Sequence, residues 1–226
     1  MEPIKDLARC IDHTLLQPEA SLKDIEKLCA EAREHHFHAV CVNSSWVTQA
    51  RHFLSGSDVK VATVVGFPLG ATDSDAKRFE TEAAIDNGAQ EIDMVMHIGR
   101  LKGGEDQYVL RELRDVAEAA EERPLKVILE TCLLTRAEKI RACQLALDSG
   151  AQFVKTSTGF SSGGATIEDV KLLREIVGEK FGVKASGGIR DALTAVAMIQ
   201  AGATRLGTSS GVTIVRQLTG PPSDRE

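Results

Sequence analysis

The sequence has no apolar run approaching the roughly 20 residues that a helix needs to cross a bilayer. Residues 1–6 lack the apolar stretch of a signal peptide. An excess of positive charge is also missing, because the formal net charge is −6. That charge argues against a general surface for nucleic acid or anionic lipid. Together these absences predict a cytoplasmic protein with neither a nucleic-acid nor a membrane partner.

Cysteine is scarce and shows no pattern of a disulfide framework. The five cysteines are odd in number, scattered, and free of any Cys-x-x-Cys pair, so we expect reduced thiols. Linkers and low-complexity segments are absent too, and 226 residues suit one well-buried core better than two. We therefore predict a single domain over residues 1–226, with a frayed tail at 218–226.

A repeated pattern is present instead. Three segments end an apolar helical stretch with Gly-Ala and continue as an apolar strand, and their glycines are Gly88, Gly150 and Gly202. Each glycine stands where a helix C-terminus favours a left-handed residue. A helix, a glycine and a strand, repeated, form the second half of a βαβ unit.

Eight apolar segments recur at intervals that fit one strand and one helix each. The predicted strands lie near residues 11–13, 39–42, 59–67, 91–96, 125–130, 153–156, 183–186 and 205–208. Capping patterns at Thr135/Glu138 and Thr166/Asp169 mark helix starts, and the charged run 111–118 is typical of an outer amphipathic helix. We predict an α/β fold, a single (β/α)8 TIM barrel with a short N-terminal helix. A doubly wound open sheet is the alternative.

Two lysines on short apolar strands carry most of the chemical signal. Lys155 lies on predicted strand six and Lys184 on strand seven. An ammonium in poor solvent beside a second ammonium loses its proton more easily, which produces a nucleophilic amine. Asp93 on strand four could pair with both and pass protons through water, and Asp12 on strand one is a weaker candidate for the same role. Salt-bridged strand ends are the alternative interpretation.

Glycine-rich loops follow the last three strands. Backbone amides and hydroxyls beside a helix start bind phosphate, and loops seven and eight of such barrels are the usual place. The alternative is that these glycines serve tight turns only. The candidate phosphate-binding residues are Gly159, Gly187, Gly188, Gly207, Ser209 and Ser210.

Two other features suggest no function. The histidines at 35, 36 and 38 lack an obvious carboxylate partner and lie at a probable helix end, so we predict no metal site. Cys41 on strand two is expected to be a buried thiol rather than a nucleophile. His97 and Tyr108 receive no role.

Three motifs together resemble the deoxyribose-phosphate aldolase family: Glu91-Ile92-Asp93-Met94-Val95, Val154 to Gly159, and Val183 to Arg190. The resemblance extends from Ile11 to Gly211, nearly the whole chain. It implies a class I, metal-free aldolase without a cofactor that reversibly splits 2-deoxy-D-ribose 5-phosphate into glyceraldehyde 3-phosphate and acetaldehyde. It also implies a homo-oligomer, a dimer or a tetramer.

By position, the resemblance makes Lys155 the Schiff-base lysine, Lys184 the neighbour that favours loss of its proton, and Asp93 the proton-relay carboxylate. Met96-His97 departs from the usual Ile-Asn of the family, and the chain lacks the tail tyrosine of some members. Two alternatives stay open: an isomerase or lyase barrel whose lysines only neutralise substrate charge, and a phosphometabolite-binding protein that has lost catalysis.

Overall fold

A closed ring of eight parallel strands forms the centre of the computed structural model, which describes residues 7–219. Each strand pairs with the next along the chain, and β8 pairs with β1. Closure confirms the predicted TIM barrel and rules out the open sheet. The strands are β1 (Ile11–Leu15), β2 (Ala39–Val42), β3 (Lys60–Val65), β4 (Glu91–Val95), β5 (Leu125–Ile128), β6 (Phe153–Lys155), β7 (Gly182–Ser186) and β8 (Arg205–Thr208).

Helices alternate with the strands and cover the barrel. They are α1 (Leu22–Glu34), α2 (Val47–Phe53), α3 (Ser74–Asp86), α4 (Ile98–Lys102), α5 (Asp106–Ala119), α6 (Arg136–Ser149), α7 (Ile167–Val177), α8 (Ala192–Gln200) and α9 (Gly211–Thr219). A short 3₁₀ helix, Leu7–Cys10, precedes β1 at the place of the predicted N-terminal helix. Helix α9 includes the start of the predicted tail, whose remainder, 220–226, lies outside the described residues. Within residues 7–219 no helix is long and apolar enough to span a bilayer.

All eight predicted strands are confirmed, with ends that move by one or two residues. The clearest difference is β5, which ends at Ile128 rather than at the predicted Glu130. Glu130 has φ of 55°, in the left-handed region, and this conformation cannot continue a strand. The chain turns there into a 3₁₀ helix, Thr131–Leu133.

The predicted local signals are largely confirmed. Gly88, Gly150 and Gly202 have φ of 101°, 90° and 112°. At the start of α6, the Glu138 backbone N–H donates to Thr135 Oγ1 at 3.3 Å, and Thr135 N–H donates to Glu138 Oε2 at 2.7 Å. At the start of α7, the reciprocal capping pattern of Thr166 and Asp169 is only half formed. The Asp169 carboxylate pairs with Lys139 at 2.5 Å instead of accepting a hydrogen bond from the Thr166 backbone.

The barrel interior has a polar part and an apolar part. Strands β2 and β3 contribute small apolar side chains, Ala39, Cys41, Ala62 and Val64, which pack with Leu16. The remaining strands contribute charged side chains, described below. The main apolar core lies between the barrel and the surrounding helices, as in any barrel whose strands are covered on the outside.

One ion pair is fully buried outside the barrel interior. Lys77 on α3 donates to Glu112 on α5 at 2.7 Å, and neither side chain is exposed. Lys77 Nζ also donates to the Gly70 and Val95 carbonyls, at 2.8 and 2.9 Å. The run 111–118 belongs to the outer helix α5, as predicted, and Glu112 lies on the buried face of that helix. The pair connects α3 and α5 to the loops after β3 and β4.

Replacing Lys77 by methionine should lower the free energy of unfolding by about 3–5 kcal/mol, because Glu112 would remain buried without its partner. Urea unfolding followed by circular dichroism measures this change. Arg78, in an exposed pair with Glu82 on the same helix, provides the control, and Arg78→Met should leave the urea midpoint nearly unchanged. A Lys77→Met protein as stable as the parent would contradict this account.

Candidate active site

The predicted charged residues face the barrel interior because side chains alternate between the two faces of a strand. Ile92 and Met94 belong to the outer core, so Asp93 between them points inward and is fully buried. Lys155 and Lys184 are direct neighbours in the register of β6 and β7. Lys155 ends β6, whereas Asp93 and Lys184 are the central residues of β4 and β7, and all three side chains meet inside the barrel.

Asp93 binds three amines. Its Oδ2 accepts hydrogen bonds from Lys155 Nζ and Lys184 Nζ, each at 2.8 Å. Its Oδ1 accepts a hydrogen bond from Lys126 Nζ at 2.6 Å. The structure thus brings together the three residues singled out from the sequence and adds Lys126 on β5.

Further ion pairs continue toward the N-terminal end of the barrel. Glu91 Oε2 lies 2.7 Å from Lys126 Nζ and 3.0 Å from an Arg205 guanidinium nitrogen. Arg205 also donates to Asp12 at 2.9 Å, and Asp12 accepts a hydrogen bond from Lys184. Asp12, the weaker candidate, therefore belongs to the same set of contacts.

We refer to these seven side chains as the interior ion cluster, which consists of Asp12, Glu91, Asp93, Lys126, Lys155, Lys184 and Arg205. Three are carboxylates and four are cations, so full ionisation leaves one excess positive charge. An unbalanced charge is costly in a buried site. The cation with the fewest carboxylate partners bears most of that cost.

The electrostatics of Asp93 and Lys184 keep both in their charged forms. Burial alone would raise the pKa of Asp93, but Lys126, Lys155 and Lys184 outweigh it and hold that pKa well below the usual range. Burial alone would lower the pKa of Lys184, but Asp12 and Asp93 outweigh it and raise that pKa. Asp93 pairs with both lysines, as expected from the sequence, and its negative charge offsets the repulsion between them.

Lys155 differs from the other cations of the cluster in two respects. Lys126, Lys184 and Arg205 each contact two carboxylates, whereas Lys155 contacts Asp93 alone within residues 7–219. Lys155 is also the member of the cluster that lines a cavity of about 240 Å³ at the C-terminal end of the barrel. The amine with the fewest anionic partners is thus the one a ligand could reach.

The glycine-rich loops border this same cavity. Lining residues include Gly159 after β6, Gly187 and Gly188 after β7, and Gly207 and Ser209 at the end of β8. A Cβ at Gly207 would lie 3.1 Å from Lys184 Cε and 2.9 Å from Ser186 Cβ. Gly207 therefore leaves room for the lysine stem, a packing role that the phosphate interpretation had not included.

Ser210 and Arg190 depart from the predicted set. Ser210 is outside the residues that line the cavity, and its backbone N–H donates to Thr208 Oγ1 at 2.9 Å. Arg190, which follows the Gly187-Gly188 turn, lines the cavity and adds a second positive charge to it.

Comparison with known proteins identifies the family. The sequence profile of the DeoC/LacD family aldolases matches residues 7–218. The chain belongs to the DeoC/LacD family of aldolases.

Curated relatives of this DeoC/LacD aldolase share more than half of its residues. A deoxyribose-phosphate aldolase from Brevibacillus brevis is 58% identical over 210 residues, covering 93% of this chain and 95% of that protein. One from Bdellovibrio bacteriovorus is 59% identical over 210 residues, covering 93% and 96%.

Solved structures agree with these relatives. A tetrameric deoxyribose phosphate aldolase from Aeropyrum pernix has a TM-score of 0.89 and 32% identity, covering 95% of this chain and 92% of that one. An aldolase designated QR15 has a TM-score of 0.92 and 39% identity, covering 96% and 97%.

Sequence reasoning missed three members of this aldolase's interior ion cluster: Glu91, Lys126 and Arg205. Lys126 sits between Leu125 and Val127, the same lysine-in-apolar-strand signal that marked Lys155. Glu91 and Arg205 each begin a strand, where a charge is ordinary. Only the closed barrel, which brings β8 against β1, shows that they face inward.

The residues given no function are accounted for by packing. Cys41 faces the interior, where burial, aided by Asp93, raises the pKa of its thiol to about 11. His38 Nε2 lies 3.0 Å from Glu91 Oε1 at the N-terminal mouth of the barrel. His97 caps α4 by accepting the Arg100 backbone N–H at 3.3 Å. Residues 7–219 contain no group of three or more potential metal ligands.

The pKa values of Asp12, Glu91 and Asp93 are all lowered by their cations against the opposing effect of burial. A lowered folded-state pKa adds stability that is present above the unfolded value and lost as the pH falls below it. The free energy of unfolding should therefore decrease from about pH 4 downward.

Urea titrations at a series of pH values measure this decrease. The isosteric variant Glu91→Gln lacks one of the three carboxylates and should show a shallower slope. A urea midpoint that stays constant from about pH 5 to about pH 3 would contradict the ionised cluster.

Proposed function

We propose that the chain is a deoxyribose-phosphate aldolase that reversibly cleaves 2-deoxy-D-ribose 5-phosphate into D-glyceraldehyde 3-phosphate and acetaldehyde through a Schiff base on Lys155. The observation that carries the proposal is that Lys155 has one carboxylate partner among residues 7–219 and opens on the cavity. The names of the relatives support the substrate. Breakdown of deoxyribose phosphates is the corresponding metabolic role.

The reaction begins with the neutral Lys155 amine. It attacks the C1 aldehyde, and loss of water gives an iminium whose positive charge acts as an electron sink. Removal of the C3 hydroxyl proton then breaks the C2–C3 bond, releases glyceraldehyde 3-phosphate and leaves an enamine. Protonation at C2 and hydrolysis of the iminium release acetaldehyde and restore the amine.

Asp93 and Lys184 support these steps from the interior. A carboxylate with a strongly lowered pKa is a weak base by itself, so Asp93 orients a water molecule that carries the proton. It also stabilises the cationic iminium, which forms at the atom 2.8 Å from its Oδ2. Lys184 remains protonated, supplies a hydrogen bond to the same oxygen, and offsets part of the attraction between Asp93 and the Lys155 ammonium.

The phosphate group would lie against the loops after β6, β7 and β8, with Arg190 as its cation. Gly187, Gly188 and Ser209 line this part of the cavity beside the start of α9, where backbone N–H groups can bind an anion. Phosphate bound here is remote from the C2–C3 bond. Its binding energy can therefore position the substrate without acting on the reacting atoms.

Oligomeric state and location stay predictions. The relative from Aeropyrum pernix is a tetramer, which supports a homo-oligomer, as a dimer or a tetramer. A cytoplasmic location accords with the absence of a spanning helix in residues 7–219.

Borohydride added with acetaldehyde should attach one ethyl group to Lys155, because it reduces the imine to a stable amine. Peptide mass spectrometry locates the adduct. Lys155→Met should abolish the adduct and reduce turnover of deoxyribose 5-phosphate by at least about 1,000-fold. Lys180→Met, an exposed lysine exchanged in the same way, should retain both. Turnover without a trapped lysine would favour a barrel in which the lysines only neutralise charge.

Arg190→Met should raise KM for deoxyribose 5-phosphate by about tenfold with little change in kcat, because it removes a charge-assisted contact to the remote phosphate. Steady-state kinetics measure both constants. Unphosphorylated deoxyribose provides the internal comparison, since its kcat/KM should not depend on residue 190. An unchanged KM would exclude Arg190 from the phosphate site.

A further inference from the structure

Lys126 and Glu91 are two of the buried members of the interior ion cluster that have no place in the mechanism above. Lys126 and Glu91 lie on the side of Asp93 away from the cavity, and neither lines it. Lys126 is fully buried and Glu91 is 5% exposed. A buried charged pair contributes little net stability compared with apolar side chains of similar size. Stability alone therefore does not explain why both occupy the barrel interior.

We propose that Lys126 and Glu91 are positioning residues that set the pH at which the Lys155 amine becomes neutral. They do so by controlling how strongly the Asp93 carboxylate attracts the Lys155 ammonium. This inference rests on the proposed Schiff-base function. It assigns to the far part of the cluster a role in the reaction, although neither residue would touch the substrate.

The contacts give the mechanism. Lys126 holds Oδ1 of Asp93 at 2.6 Å, so that Oδ2 alone serves Lys155 and Lys184. Lys126 is itself shared with Glu91 at 2.7 Å. A stronger bond from Lys126 to Glu91 weakens its hold on Asp93, and the reverse also applies. Charge on Glu91 is thus transmitted through Lys126 to the carboxylate that holds the Lys155 ammonium.

The ionisable groups of the barrel interior lie in two layers around the Lys155 amine, and Arg190 lines the cavity with it. Asp93, Lys126 and Lys184 are in the first layer. Behind them are Asp12, Glu91, Cys41 and Arg205. The raised pKa of the Cys41 thiol keeps it neutral near physiological pH. His38, at the mouth of the barrel, contacts Glu91.

Opposite charge changes should have opposite effects. Lys126→Met leaves three carboxylates facing three cations, so the Lys155 ammonium is held more firmly and becomes neutral at higher pH. Glu91→Gln leaves one carboxylate fewer, so the ammonium is released at lower pH. At an effective dielectric constant of about 20, a unit charge within this cluster shifts the midpoint by on the order of one pH unit. A general loosening of the fold would instead move the pH midpoints of both variants in the same direction.

The experiment measures the rate of reductive trapping with acetaldehyde and cyanoborohydride at Lys155 as a function of pH, with mass spectrometry to locate the adduct. The midpoint should move to higher pH by about one unit in Lys126→Met and to lower pH by a similar amount in Glu91→Gln. Matched controls, Lys180→Met and Glu179→Gln, make the same charge changes at neighbouring exposed positions and should leave the midpoint unchanged.

The inference would be overturned if folded Lys126→Met or Glu91→Gln protein had the same trapping midpoint as the parent. It would also be overturned if the midpoints of both variants moved in the same direction. If circular dichroism shows that one of these two variants does not fold, the direction of the midpoint shift in the other variant decides. Failure of the parent protein to form any Lys155 adduct is a separate result. It would refute the proposed function itself, whereas trapping with unshifted midpoints refutes only the role of Lys126 and Glu91.

Discussion

The architecture of the site depends on one carboxylate, Asp93, which accepts hydrogen bonds from three lysines at 2.6 to 2.8 Å. It is fully buried, so its charge would be costly without those partners. The lysines in turn could not remain buried without carboxylates. This mutual requirement keeps the charged side chains of β4, β5, β6 and β7 inside the barrel. The number of carboxylates that contact each amine then determines which amine is least firmly held.

The barrel interior is organised around this requirement. Small apolar side chains on β2 and β3 fill one part of it, and the interior ion cluster fills the rest. Each cation except Lys155 is shared by two carboxylates within the described residues, and Lys155 is nearest the cavity. The unequal distribution of partners distinguishes one lysine from several residues of the same type.

Most of the fold could be predicted from the sequence because its determinants are local. Apolar strands at regular spacing, the left-handed glycines at 88, 150 and 202, and the Thr135/Glu138 box each act over a few residues, and all are confirmed. The site was predicted in part, since Asp93, Lys155 and Lys184 are charged residues within apolar strands of one predicted barrel.

The remainder depended on contacts between distant parts of the chain. Arg205 reaches Asp12 across 193 positions of sequence, and Lys77 reaches Glu112 between two helices. A strand-initial arginine and a glutamate in a charged run are ordinary surface residues by sequence. The shared contact of Lys155 and Lys184 with Asp93 was expected from the sequence, but the distances that decide between attraction and repulsion come only from the folded barrel.

The most direct test of the account follows the side-chain amines themselves. Lysine-specific ¹⁵N labelling and a pH titration by NMR, with Lys126, Lys155 and Lys184 assigned by substitution, report which amine releases its proton first. The account predicts that Lys155 does so, at a pH clearly below the other two. Earlier deprotonation of Lys184 or Lys126, or simultaneous titration of all three, would contradict it.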